Sequence, residues 1–178
     1  ALVTDVWEPK VPIHLGLRAI LEANSMEEAL ERVDNNQMAS AAHFLIASST
    51  GEIASAEVSP VYTAIRKADK AVMTHTNHIC SAPMRTHMKE DPLENSFIRL
   101  STIDQLIENM KDKEITKKDL FELLSSHDNY PDSICRHHIP ENTGRTQTET
   151  VFSIVMNLSS RELHWFEGQP CEHLSKIS

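Results

Sequence analysis

Residues 71–80 read AVMTHTNHIC and change abruptly from an apolar run to short polar side chains. This pattern is typical of a buried strand that ends in a cluster of hydrogen-bonding groups, a common way to present a site. The side-chain amide of Asn77 can stabilise a developing oxyanion, and His75 and His78 can titrate near neutral pH. The alternative interpretation is a strand end whose histidines are ordinary surface residues.

Upstream of this stretch, the sequence predicts an antiparallel meander. Residues 41–48 (AAHFLIAS) form an apolar run of strand length. In residues 53–59 (IASAEVS), small apolar side chains alternate with mostly polar ones, which is the period of a strand. A third strand is predicted over residues 61–67 and a fourth over residues 71–75. Strands this close in sequence, joined by tight turns, are expected to pair antiparallel.

Helical patterns flank the strands on both sides. Apolar residues at intervals of three and four predict a helix over residues 13–24 and a second one capped by Ser25, with Glu28 completing a capping box. A long helix is predicted from Ser96 and a further one after Thr116. Additional strands are predicted over residues 133–137, 148–158 and 162–166. This order favours an α+β fold, with two helical layers around two packed antiparallel sheets.

Composition narrows the class of protein. The chain has 178 residues, enough for one domain with a sizeable core. It carries 17 Lys and Arg against 26 Asp and Glu, a net charge of −9, which argues against nucleic acid and anionic membranes as partners. No apolar run approaches the roughly 20 residues of a membrane span, and no secretory signal is visible. An intracellular location, cytoplasmic or organellar, is therefore expected.

Cysteine and glycine usage predicts neither a metal nor a nucleotide cofactor. Cys80, Cys135 and Cys171 are too few and too scattered for a disulfide framework or a zinc site, and are interpreted as free thiols. His75 and His78 lie three residues apart but lack a third ligand in the sequence. The four glycines form no phosphate-binding loop.

Six segments in a characteristic order resemble a known family. They are VPIHLGLRAILEA, STGEIASAEVSP, VMTHTNH, DPLENS, DNYPDSICR and GRTQTETVFSIVMNLSSRELH. Together they resemble the fungal acyl-coenzyme A:6-aminopenicillanic acid acyltransferase family, also called the C45 peptidase family. The resemblance extends over residues 11–168, and HTNH with DNYPDSICR at this separation is its most specific part.

The resemblance implies an N-terminal nucleophile hydrolase with an αββα sandwich. Members are made as precursors that cut themselves just before a cysteine. The new N-terminal cysteine then attacks an amide or thioester carbonyl, with its own α-amino group as the base, and the acyl group passes to water or an amine. No cofactor is implied, and an acyl-coenzyme A can serve as substrate. The acyl donor and acceptor are not determined by the sequence.

Three residues match functional positions of the family. Asn77 in HTNH matches the asparagine that stabilises the oxyanion, Ser59 a serine linked to processing and activity, and Arg145 an arginine near the active site. A serine often precedes that arginine in the family, but Gly144 stands here, so no hydroxyl is available. Without the resemblance, Ser59 would be interpreted as a turn residue before a proline and Arg145 as a solvated charge.

The chain departs from the family in lacking the nucleophile. The family's cysteine precedes the region that matches VPIHLGLR, and none of the three cysteines matches it. Residues 1–178 are therefore predicted to be a single partial catalytic domain, the C-terminal part, whose partner is the upstream segment. Alone it is expected to be inactive and poorly soluble, because missing strands leave sheet edges unpaired.

Two other hypotheses come from different classes of protein. One is a non-catalytic binding domain that retains the fold without the nucleophile. The other is a cysteine hydrolase with its own nucleophile and base, such as Cys135 with His75.

Overall fold

The computed structural model describes residues 2–3, 9–35 and 38–177. The chain divides into two compact units, Ala1–Pro92 and Leu93–Ser178. Both combine helices with antiparallel strands, so the predicted α+β class is confirmed. The single partial domain over residues 1–178 stays a prediction. Among the described residues, no helix is long and apolar enough to cross a membrane.

The first unit begins with a short strand β1 (Leu2–Val3) and two helices, α1 (Ile13–Leu21) and α2 (Met26–Asn35). The predicted cap of α2 forms, since the Ser25 hydroxyl accepts the backbone N–H of Glu28 at 3.1 Å. The Glu28 carboxylate reaches the backbone N–H of Asn24, at 2.7 Å, rather than that of Ser25. The predicted capping box therefore forms in altered form, because the Glu28 side chain binds the residue before the N-cap instead of the N-cap itself.

Three of the four predicted strands form the main sheet. β2 (Ala42–Ala47), β3 (Ile53–Val58) and β4 (Thr63–Lys67) pair antiparallel in chain order. The predicted fourth strand over residues 71–75 is wrong, because this segment is a loop. His75 in it hydrogen-bonds the side chain of Glu57.

The segment after the loop contains a helix that the sequence analysis did not predict. α3 (Ala82–His87) is capped by the Ser81 hydroxyl, which accepts the Met84 N–H at 3.4 Å, and Pro83 stands in its first turn. β5 (Lys89–Glu90) follows and pairs antiparallel with β1.

Strand β3 is buried on both faces. Its apolar side chains, Ala54, Ala56 and Val58, are at most 2 % exposed. They belong to cores formed with α1, α2 and β2, whose other members include Ile20, Met26, Ala29, Leu30, Val33, Met38 and Phe44. The alternate residues of the strand, Ser55 and Glu57, and Ser59 just after it, are also buried. A row of polar groups is therefore held inside the first unit.

The second unit contains α4 (Glu94–Glu108), α5 (Lys117–Leu124) and a hairpin of β6 (Phe152–Asn157) and β7 (Glu162–Glu167). Three 3₁₀ helices complete it, at Gly144–Thr146, Pro170–Glu172 and Leu174–Lys176. The core of this unit is apolar and aromatic. Its members are Phe121, Leu124, Val155, Phe166, Leu174 and Ile177.

Predictions for the second unit are confirmed for the helices and for one hairpin. Thr116 caps α5, and its capping box with Asp119 is complete. The predicted strand over residues 133–137 is wrong: the Ser133 hydroxyl donates to the Cys135 carbonyl at 2.6 Å, a local bond that competes with strand pairing. β6 begins at Phe152, later than the predicted start at residue 148.

Candidate active site

A cavity of about 380 Å³ lies in the first unit beside the polar face of β3. Its volume falls within the roughly 300–1,000 Å³ of small-molecule sites. Its lining includes residues from β2, β3, the loop after β4, and α3, among them His43, Glu57, Ser59, His75, Asn77, His78, Met84 and Met88. The structure therefore brings together two of the predicted site residues, Asn77 and Ser59.

Glu57 organises the loop that carries Asn77. Its buried carboxylate accepts three N–H groups: His75 Nε2 at 2.8 Å, the Cys80 backbone at 2.6 Å and the Ser81 backbone at 3.0 Å. Burial would raise the pKa of Glu57, but these hydrogen bonds and the charge of His75 lower it below its usual value. The ionised carboxylate thus holds both ends of residues 75–81 against β3.

Two stacked histidines line the cavity, and one of them bonds to this carboxylate. The rings of His43 and His75 are parallel within 7°, with centroids 3.3 Å apart. Burial would lower the pKa of His75, but hydrogen bonds and charges of Cys80 and Glu57 raise it to about 9. Burial and the charge of His75 lower the pKa of His43 to about 4. At neutral pH the pair therefore carries one positive charge, on His75.

The opposite shifts predict how stability depends on pH. His75 binds its proton more tightly in the folded protein, so it stabilises the fold below pH 6.5 and this contribution disappears as the pH rises towards 9. His43 resists protonation in the fold, so its contribution is lost as the pH falls from 6.5 towards 4. Stability of the first unit is therefore expected to be greatest near neutral pH.

We expect His75 to account for a fall of about 2–3 kcal/mol in the free energy of unfolding between about pH 6.5 and pH 9.5. The measurement is denaturant unfolding of the wild type and His75→Gln across this range, because titrations shared by both proteins cancel in the difference. His14→Gln, at an exposed position of α1, should follow the wild type. Parallel curves for wild type and His75→Gln would contradict the assignment.

Asn77 lies in a loop whose backbone is fixed on both sides of it. Upstream, His75 is bound to Glu57. Downstream, the Ile79 N–H donates to the Glu90 carboxylate at 2.8 Å, and the Ile79 carbonyl accepts two bonds from Arg85, at 2.9 and 2.7 Å. Asn77 itself is exposed and lines the cavity. A position held on both sides suits an oxyanion donor, and the role predicted for Asn77 stays a prediction.

Ser59 is occupied by the turn that follows β3. Its hydroxyl donates to the Tyr62 carbonyl at 2.9 Å and accepts from the N–H groups of Tyr62 and Val61, at 3.0 and 3.3 Å. These bonds agree with a turn residue before Pro60. Ser59 also lines the cavity, so its predicted role in processing and activity stays a prediction.

Arg145 lies in the second unit, in the 3₁₀ helix Gly144–Thr146, and is exposed. The preceding Gly144 has φ of 57°, a conformation that glycine adopts without the steric cost of a Cβ atom. The predicted site role of Arg145 stays a prediction.

Two groups of side chains have donor atoms close enough to hold a metal ion, among the residues that the structure describes. One is Glu57, His75 and Cys80, in which the carboxylate already accepts three N–H groups. The other lies in the second unit and consists of His127, Cys135, His137 and Cys171. The cysteines are scattered in sequence, but the fold brings Cys135 and Cys171 together; the expectation that they bind no metal stays a prediction.

The surroundings of Cys135 and His75 do not support the hypothesis of a hydrolase that uses them as nucleophile and base. Cys135 is fully buried, and its imidazole neighbour is His137, with Nε2 at 3.9 Å from the sulfur. Burial raises the pKa of the Cys135 thiol to about 11, so the reactive thiolate is disfavoured at neutral pH. His75 has Glu57 and Cys80 as its own partners.

Glu57 was not among the site residues predicted from the sequence. A carboxylate in an alternating strand is usually interpreted as a residue of the solvated face. One signal was present: Glu57 is two residues from Ser59 and therefore on the same face of the strand.

These features define an α+β protein with a buried polar strand face beside a ligand-sized cavity. The model of the family described as acyl-coenzyme A:6-aminopenicillanic acid acyl-transferase matches residues 4–172, and the chain belongs to this family. One relative is the acyl-coenzyme A:6-aminopenicillanic-acid-acyltransferase 40 kDa form of Emericella nidulans, 29% identical over 161 residues. The alignment covers 90% of this chain but 43% of the relative, so the chain spans less than half of that protein's length.

Proposed function

We propose that the protein containing this chain transfers an acyl group from an amide or thioester to water or an amine. The observation that carries this proposal is the match of residues 4–172 to an acyltransferase family, together with a cavity that Asn77 lines. In this proposal the present chain contributes the oxyanion donor and part of the substrate pocket. Amide substrates and acyl-coenzyme A thioesters are the expected classes.

The proposed chemistry begins with a cysteine thiol outside these 178 residues, freed by self-cleavage of a precursor. Its α-amino group takes the thiol proton, the sulfur attacks the carbonyl carbon, and negative charge develops on the oxygen. The Asn77 amide donates to that oxygen. The leaving amine or thiol takes a proton as it departs, and water or an amine then attacks the acyl-enzyme.

We also infer that the chain completes an αββα sandwich with the rest of the protein. One face of the β6–β7 hairpin presents apolar side chains that are 41–58 % exposed. They belong to cross-strand neighbours: Phe152, Ile154, Met156, Leu163 and Trp165. An exposed apolar sheet face of this kind is expected to pack against another sheet.

Maturation and turnover test the proposal in the complete protein. Mass spectrometry of the purified protein is expected to show two chains, with this whole sequence in the one that begins with a cysteine. A panel of acyl-coenzyme A thioesters, assayed with and without an amine acceptor, should give release of coenzyme A that disappears when that cysteine is alkylated. A single uncut chain that turns over these substrates would contradict the proposal.

The second candidate is a binding domain that has lost the chemistry. It is favoured by Ser59, whose hydroxyl is committed to its own turn. This candidate predicts ligand binding in the same cavity with no coenzyme A release and no cleavage of the precursor.

A further inference from the structure

Four metal-binding side chains converge in the second unit, in a place that the proposed acyl transfer does not use. They are His127, Cys135, His137 and Cys171, and their donor atoms all lie within 4.8 Å of one another. Three separate segments supply them: the turn after α5, the loop over residues 133–137, and the 3₁₀ helix Pro170–Glu172. A metal ion bound by ligands from separate segments would link those segments in the folded chain.

Three of the distances between the donor atoms are close to the edges of a zinc tetrahedron. With Zn–S near 2.3 Å and Zn–N near 2.0–2.1 Å, tetrahedral geometry places sulfur and nitrogen about 3.6 Å apart and two nitrogens about 3.3 Å apart. His137 Nε2 lies 3.5 Å from Cys171 Sγ, 3.9 Å from Cys135 Sγ and 3.0 Å from His127 Nε2. Each of these three distances is close to the corresponding edge, and the other three pairs of donor atoms lie within 4.8 Å of one another.

Hydrogen bonding alone does not account for this arrangement. His137 Nε2 faces three donor atoms, but a ring nitrogen offers either one hydrogen or one lone pair. At most one of the three contacts can therefore be a good hydrogen bond. A cation at the centre would bind all four atoms at once.

The backbone around the buried ligand is held in place. The Cys135 N–H donates to the Ser126 carbonyl at 3.0 Å, which ties this segment to the residue just before His127. The Cys135 carbonyl accepts from the buried Ser133 hydroxyl. The next residue, Arg136, exchanges two bonds with Thr150, at 2.9 and 3.0 Å. The buried ligand Cys135 is thus positioned by the fold.

We propose that His127, Cys135, His137 and Cys171 bind one structural zinc ion that links the end of α5 to the C-terminal 3₁₀ helices. Two thiolates and two imidazoles form the soft and borderline ligand set that favours Zn²⁺ over Mg²⁺ or Ca²⁺. Binding releases the two thiol protons, and the two thiolate charges neutralise the ion. All four tetrahedral positions are occupied by protein, which makes the site structural rather than catalytic.

The test measures metal content in the complete protein, purified under reducing conditions without chelator. We expect about one zinc per polypeptide in the wild type. His127→Gln and Cys171→Ser change two of the three ligands that are not fully buried, and each is expected to reduce zinc content severalfold. His138→Gln is the matched control, because this exposed neighbour of His137 is outside the cluster. It should retain the wild-type content.

Cobalt substitution identifies the ligands independently of activity. Co²⁺ added to metal-free protein should produce thiolate-to-metal charge-transfer absorption, and Cys171→Ser should weaken it, while His127→Gln should alter the visible bands. Because His127 is exposed, its variant provides a readout even where a cysteine variant fails to fold. Folded wild type without zinc, full zinc content in a variant that combines His127→Gln and Cys171→Ser, or a Cys135–Cys171 disulfide in the fresh protein would each overturn the proposal.

Discussion

Asn77→Ala in the complete protein is expected to lower kcat by about 10²–10³, roughly 2.7–4 kcal/mol of transition-state stabilisation. The amide lines the cavity on a loop that Glu57, Glu90 and Arg85 hold in position, so its loss is not repaired by a small movement of the backbone. KM should change much less, because the bond strengthens only when charge develops on the substrate oxygen. Steady-state kinetics with a thioester substrate measures both.

Two variants make this prediction specific. Asn77→Asp has the same shape but replaces the amide donor by a carboxylate, so it should be at least as damaging as alanine. Asn109→Ala removes an exposed asparagine at the end of α4 and should leave kcat unchanged. Near-normal kcat in Asn77→Ala, with the variant correctly folded, would remove this residue from the mechanism.

Glu57→Gln is expected to lower the free energy of unfolding of the first unit by about 3–5 kcal/mol, the range for breaking a buried ion pair. The side chains of Glu57 and His75 are each 7 % exposed, so water cannot replace the lost interaction. An amide also has one acceptor oxygen, whereas the carboxylate uses both of its oxygens on His75, Cys80 and Ser81. At least one N–H would face the NH₂ group of glutamine.

Hydrogen exchange locates this effect. The backbone amides of Cys80 and Ser81 should exchange faster in Glu57→Gln, because they lose their carboxylate acceptor. Glu31→Gln, at an exposed position of α2, is the matched control and should change stability by less than about 0.5 kcal/mol. Unchanged protection at both amides would show that the carboxylate does not hold the loop.

Much of the secondary structure could be predicted from local signals. Capping residues located the starts of α2 and α5, because Ser25 and Thr116 offer hydroxyl groups to nearby N–H groups whatever surrounds them. The failures, the predicted strands over residues 71–75 and 133–137, share a cause. In both segments a side chain bonds elsewhere: His75 to Glu57, and Ser133 to its own loop. Such bonds depend on partners that strand periodicity does not reveal.

The sequence by itself determined the alternation of β3, the apolar faces of the helices and the motif that carries Asn77, since these depend on residue type and spacing alone. Only the tertiary structure decided that the polar face of β3 is buried, so that Glu57 accepts groups from a loop 18–24 residues away. It also decided that Cys171 meets His137, 34 residues earlier in the chain. Contacts at such separations arise from packing, because the apolar faces that bury these groups come together only when the chain folds.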